Sequence, residues 1–239
     1  ESVVAGACVA AADGVPLILS LDDPKPWTPG QPFLYDLDLE VLDAQRNILD
    51  RVSSYAGLRK VHIEGDRLFL NHEELYLRMV LDQGFYPDGI WTAPSDDALR
   101  GDIELAMAAG FNGARLHQKV FEERYHYWAD RLGFLTWGES ASWGLACMRV
   151  RHPNESLSGR AAESAFNFLA EWREIVLRDR NHPSIIAWTP FNETREASDW
   201  EFHRRLHIEA YETTKAFDPT RPVNDASGYV HQRTDLWTL

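Results

Sequence analysis

The run Ser184 to Phe191 is largely apolar, as expected of a strand covered on both faces, and it ends on Asn192 and Glu193. A carboxyl group at such a strand end is expected to be partly desolvated, with its pKa pushed upward. That suits a general acid that protonates a leaving oxygen. The plainer reading is a Glu that begins a surface loop or caps the next helix. Other polar residues also close apolar runs: Arg78, Arg115 with His117, and Glu139. An acid, an amide, two cations, an imidazole and a second carboxylate at successive strand ends form the pattern to be explained.

The elements that must position these residues change character near Gly65. Up to about Ile63 the text is β-like, with runs Leu17 to Leu21, Phe33 to Leu42 and Val52 to Ile63 broken by Pro, Gly and Asp. In the second run Tyr35, Leu37, Leu39 and Val41 alternate with Asp36, Asp38 and Glu40, the period of a half-buried antiparallel strand. The apolar run Val3 to Ala12 follows Glu1 and lacks a basic leader, and reads as one more strand.

From Asp66 to Val80 two strands flank an Asn71-His72 turn, and helices then alternate with short strands. One helix opens at Ser95 with Asp96 and Asp97 in its first turn, carries Leu99, Ile103, Ala106 and Met107, and stops at Gly110. A strand follows from Phe111 to Arg115. The next helix carries Tyr125, Trp128, Ala129 and Leu132 and stops at Gly133, before a strand from Phe134 to Trp137. A longer helix over 160–180 places Ala165, Phe168, Leu169, Trp172, Ile175 and Val176 on one stripe. Pro190 marks the end of the following ladder. A further helix, with Trp200, Leu206, Ala210 and Tyr211, leads to a fifth strand near Val223.

Strands alternating with helices give a doubly wound sheet or a closed barrel. No G-x-G-x-x-G or Walker pattern follows any strand, so a nucleotide sheet loses its main support and no cofactor is expected. In a barrel, chemistry sits at the C-terminal strand ends.

The 239 residues, 44% hydrophobic and 12% aromatic, suffice to bury a large core. With 24 Lys and Arg against 37 Asp and Glu, the net charge of −13 repels nucleic-acid backbones and acidic lipid. No run approaches the roughly 20 apolar residues of a membrane span, and a soluble protein is expected. The two cysteines, Cys8 and Cys147, fit neither a disulfide framework nor a metal-ligand spacing and leave the compartment open.

Cleavage of a glycosidic bond needs one carboxylic acid to protonate the leaving oxygen and a second carboxylate as nucleophile or base. At this point the chain resembles glycoside hydrolase family 2, which includes β-galactosidases, β-glucuronidases and β-mannosidases. Trp27-Thr28-Pro29-Gly30-Gln31-Pro32-Phe33-Leu34-Tyr35 is similar to the entry into the last strands of the family's immunoglobulin-like domain, and Gly57-Leu58-Arg59 to its exit. Phe69-Leu70-Asn71 through Leu77-Arg78 resembles the entry into the barrel. Asn112-Gly113-Ala114-Arg115 is similar to the second barrel strand, Trp137-Gly138-Glu139 to the third, and Arg180-Asn181-His182-Pro183-Ser184-Ile185 with Asn192-Glu193 to the fourth.

The resemblance implies a partial immunoglobulin-like β-sandwich over residues 1–63, followed by the first half of a (β/α)8 TIM barrel over 64–239. It implies Glu193 as acid/base and Asn192 as the hydrogen-bond partner of the hydroxyl beside the reacting carbon. Arg115 is placed near the nucleophile, with a structural salt bridge as its alternative. His117 resembles a sugar-contacting His, although one residue, Leu116, separates it from Arg115 where the family has two. Glu139 falls where some members hold a metal ion or a substrate hydroxyl, with a buried arginine ion pair as its alternative, and no metal is expected. Trp137 is ranked first for stacking on a sugar, ahead of Trp91, Trp143 and Trp188. Asn192-Glu193-Thr194 and Asn154-Glu155-Ser156 also fit the glycosylation pattern.

Two departures bear on substrate. Many members have Arg-Gly-x-x-x-His after the first barrel strand, where this chain reads Arg78-Met79-Val80-Leu81-Asp82-Gln83-Gly84. The resemblance puts the nucleophile on a seventh strand, whereas Leu239 lies near the fifth, so an internal piece of a longer enzyme is expected. Alone, it should be inactive, and its open edges favour association into a homo-oligomer. The competing expectation is a carbohydrate-binding or scaffold protein with a glycosidase-like fold; a third is a barrel enzyme of unrelated chemistry.

Overall fold

The computed structural model describes Ala12, Val15 and residues 17–142, 157–194, 200–228 and 230–238. The expected strand from Val3 to Ala12, both cysteines, Trp143 and the Asn154 motif lie outside the described residues, apart from Ala12.

Two small antiparallel sheets come first. β1 (Tyr35–Leu42) pairs with β2 (Ile48–Ala56). β3 (Val61–Glu64), β4 (Arg67–Leu70) and β5 (Glu73–Glu74) form the second sheet, with Asn71 and His72 turning between the last two in left-handed backbone. The sequence had joined Val52 to Ile63 in one strand. The ladder instead breaks after Ala56, where Leu58 makes a separate bridge to Pro26. Leu17 to Leu21 forms no strand. The alternation in β1 holds only at its start: Tyr35 and Leu37 are half-buried, while Leu39 and Val41 are exposed because no described element covers that face.

The parallel sheet is built from β6 (Met79–Asp82), β7 (Gly113–Leu116), β8 (Leu135–Glu139) and β9 (Ile185–Thr189), in that order. α1 (Asp96–Ala108), α2 (Glu123–Leu132) and α3 (Leu157–Asp179) make the crossovers. Ser95 caps α1, its side chain accepting from the Ala98 N–H. Gly133 ends α2 at φ +76°, and an added Cβ would collide with the Pro29 carbonyl. The ladder of β9 stops at Pro190 as expected. β10 (Phe191–Asn192) then pairs in parallel with β11 (Ala226–Ser227), after α4 (Trp200–Phe217). A parallel bridge from Trp188 to Val223 brings in the fifth strand. This is the first half of a β/α barrel following sandwich-type strands.

Three apolar clusters hold these layers. Leu99, Ile103, Leu116, Phe121, Tyr125 and Phe134 pack around β7. Trp172, Val176, Ile185, Trp188, Phe191 and Leu206 pack around β9. Trp27, Val61, Leu70, Leu135 and Ile186 join the N-terminal segment to the lower strand ends. Beside that third cluster lies a polar latch that sequence reading did not find. Asp130 on α2 accepts from the Tyr55 hydroxyl at 2.8 Å, His182 Nδ1 at 2.6 Å and the Ser184 N–H at 2.9 Å. Arg59 donates to the carbonyls of Pro183 and Ile185.

Candidate active site

Each strand that reaches the upper, C-terminal edge of the parallel sheet delivers a polar residue there. β7 carries Arg115 and, one residue past its end, His117; β8 carries Trp137 and Glu139; β10 carries Asn192 and is followed by Glu193. The registers place Arg115 opposite Trp137 and Glu139 opposite Thr189. Gly138 lies against the Trp188 ring, which a Cβ there would strike.

Arg115 is the hub. Its Nε donates to Glu139 Oε2 at 2.7 Å, and its Nη2 donates to Asn192 Oδ1 at 2.6 Å and lies 3.3 Å from His117 Nδ1. Glu139 Oε1 accepts from the Gln118 N–H at 3.1 Å and lies 3.3 Å from His117. The Glu139 side chain is fully buried, so this is the arginine ion pair that was one of its two expected roles. Both of its oxygens are engaged, Oε2 by the Arg115 guanidinium and Oε1 by the Gln118 amide beside the His117 ring. Among the described residues, no group of three or more His, Cys, Asp or Glu is arranged to hold a metal.

The Arg115 contact also fixes Asn192. Because Oδ1 is committed to a guanidinium, the end of the amide left for a ligand is Nδ2, a donor. The Asn192 N–H in turn donates to Ser142 Oγ at 3.2 Å.

Glu193 departs from expectation. In this chain the residue is exposed rather than partly desolvated; the backbone leaves β10 there in a left-handed turn, φ +50°, with its N–H donating to the Ser227 carbonyl at 2.8 Å. Gln118, across the edge, also adopts positive φ, +52°. Non-glycine residues held this way cost about 1–3 kcal/mol and cluster at functional sites.

Arg78 also departs from expectation. It precedes β6, at the opposite end of the sheet, with its N–H donating to Asn112 Oδ1 and its Nε to the Gly110 carbonyl. The upper end of β6 belongs to Asp82, whose carbonyl accepts from the His117 N–H at 2.7 Å. A strand of four residues gives no periodicity from which the sequence could place Asp82 at its end. Of the tryptophans, Trp137 is half-buried with Nε1 donating to Thr189 at 2.7 Å, Trp188 is core, and Trp91 is partly exposed on the loop after β6.

Comparison with known proteins bears on this arrangement. The family profile described as "Glycosyl hydrolases family 2, TIM barrel domain" matches residues 61–237, and a second, "Glycosyl hydrolases family 2", matches residues 3–59. The chain belongs to glycosyl hydrolase family 2. A family 2 relative, the beta-galactosidase of Photobacterium profundum, is 30% identical over 212 residues, covering 88% of this chain and 19% of the relative. The beta-D-glucuronidase structure of Dictyoglomus thermophilum matches with TM-score 0.73 and 28% identity over 86% of this chain and 35% of that one. The family 2 beta-galacturonidase of Eisenbergiella tayi, bound to galacturonate, matches with TM-score 0.74 and 25% identity over 87% and 35%. The chain thus spans about a fifth of the curated beta-galactosidase and about a third of the two solved enzymes.

Proposed function

We propose that this chain carries the acid/base half of a retaining β-glycosidase. The observation that carries the reading is the Arg115 network joining the upper ends of β7, β8 and β10, with Glu193 immediately after Asn192, in a family 2 barrel. Glu193 protonates the leaving glycosidic oxygen as the bond to the anomeric carbon breaks. A second carboxylate takes up the anomeric carbon, and Glu193 then removes a proton from the water that releases the sugar. Asn192 Nδ2 donates to the hydroxyl beside the reacting carbon, and Trp137 and His117 border the sugar.

Glu139 is not that second carboxylate, since its side chain is buried in the Arg115 ion pair. The family resemblance assigns the nucleophile to a seventh strand. The same reading divides the chain at 63/64 into sandwich and barrel parts, a line that falls within β3.

The test compares the product of the complete gene with residues 1–239 on aryl β-galactosides, β-glucuronides and β-mannosides. The complete product should hydrolyse one of the three and release the β-anomer first, as read by proton NMR, and residues 1–239 should be inactive. Release of the α-anomer, or turnover by residues 1–239 that disappears in Glu193→Gln, contradicts the proposal.

A further inference from the structure

The loop between β6 and α1 is held unusually well for a segment that exposes large apolar rings. Phe85 and Trp91 are 56% and 40% exposed and meet edge to face, with ring centroids 4.9 Å apart at 73°. The loop folds back on itself between them: Tyr86 and Ile90 exchange N–H···O bonds of 3.0 and 2.9 Å, and the Tyr86 ring is buried.

Its two ends are pinned by one buried cation. Lys119, 3% exposed, donates through Nζ to the Gly84 carbonyl at 2.9 Å and the Trp91 carbonyl at 2.8 Å. Gly84 sits at φ +65°, packed so closely on Lys119 that a Cβ would meet its side chain at 2.6 Å. Burying an ammonium is costly unless it is fully engaged, and here two carbonyls, the Glu122 carboxylate at 3.6 Å and the rings of Phe121, Trp91 and Tyr86, 4.9 to 5.8 Å away, engage it. The result is an edge-to-face aromatic corner on a backbone with little freedom left to lose on binding.

The corner is continuous with the candidate active site. The loop starts at Asp82, whose carbonyl accepts from His117, and Lys119 follows the two residues, His117 and Gln118, that contact Glu139. In a β/α barrel the loops at this end line the substrate path. Rigid aromatic faces suit the apolar face of a pyranose ring or a flat aryl group.

We propose that Phe85 and Trp91 form the leaving-group subsite, which takes an aromatic or pyranosyl group on the far side of the scissile oxygen from the reacting sugar. This rests on the glycosidase reading above and adds a binding site to it.

The experiment uses the product of the complete gene, with the phenyl and methyl β-glycosides of whichever sugar it hydrolyses. Phe85→Ala should lower kcat/KM for the phenyl glycoside about tenfold and leave the methyl glycoside within about twofold, with Phe85→Tyr close to wild type on both. Equal losses on the two substrates, or no loss on the phenyl glycoside, overturn the subsite. If wild type hydrolyses neither, the catalytic reading fails separately. Calorimetry of phenyl β-glycoside binding then decides the subsite: an affinity about tenfold weaker in Phe85→Ala supports it, and unchanged affinity or no binding to wild type refutes it.

Discussion

Arg115 is the residue on which the candidate site turns, since one guanidinium reaches Glu139, Asn192 and the edge of His117. A fully buried carboxylate that loses its cation is left uncompensated, which costs about 3–5 kcal/mol, whereas replacing both partners by apolar groups of similar size is close to neutral. Arg115→Ala should therefore lower the unfolding free energy by about that amount in urea titrations, and Arg115→Met with Glu139→Leu should recover most of it. A small loss in the single variant would mean that the pair is solvated. The ion pair was legible beforehand as an alternative for both residues, because a cation and a carboxylate sat at neighbouring strand ends. The bond from Arg115 to Asn192 was not: it joins residues 77 apart, and only the closing of the sheet brings them together. The left-handed turn at Glu193 was also hidden, since no glycine or asparagine stands there to mark it.

Helix boundaries were the most readable elements, because their signals are local: Ser95 as a cap, and Gly110 and Gly133 as stops. Short strands were less so, as Leu17 to Leu21 and Arg78 show, because their existence and limits depend on partners that periodicity does not name. The helices also bury imidazoles that no pattern flagged. Burial, and then the neighbouring His182, push His126 on α2 down to about 3; burial, and then His207, push His203 on α4 down to about 4. Both rings stay neutral in the fold, while an unfolded histidine takes up a proton near 6.5. The unfolded state therefore binds more protons at acid pH. The stability from these groups is fully present above about 6.5 and is lost as pH falls towards 4 and then 3, by up to about 1.4 kcal/mol per pH unit for each. Urea midpoints should fall between pH 7 and pH 5, and His126→Asn should flatten the decline. A midpoint that holds steady over that range would show that these rings are not buried in neutral form.

At the scale of the molecule, the lower ends of the barrel strands are tied to the N-terminal sheets, through Tyr55, Asp130 and His182 and through Arg59, while the upper ends carry the candidate site. The sequence conveyed the upper set, as polar residues that end apolar runs, but not the lower latch, whose partners lie 52 to 126 residues apart. The measurement that bears most directly on Glu193 as the acid is the leaving-group dependence of Glu193→Gln in the product of the complete gene. On phenyl β-glycosides, whose leaving group needs a proton, kcat/KM should fall about 10²–10⁴-fold, and on dinitrophenyl β-glycosides, whose leaving group needs none, it should fall far less. Equal falls on both series, or activity unchanged on the phenyl glycosides, would contradict the assignment.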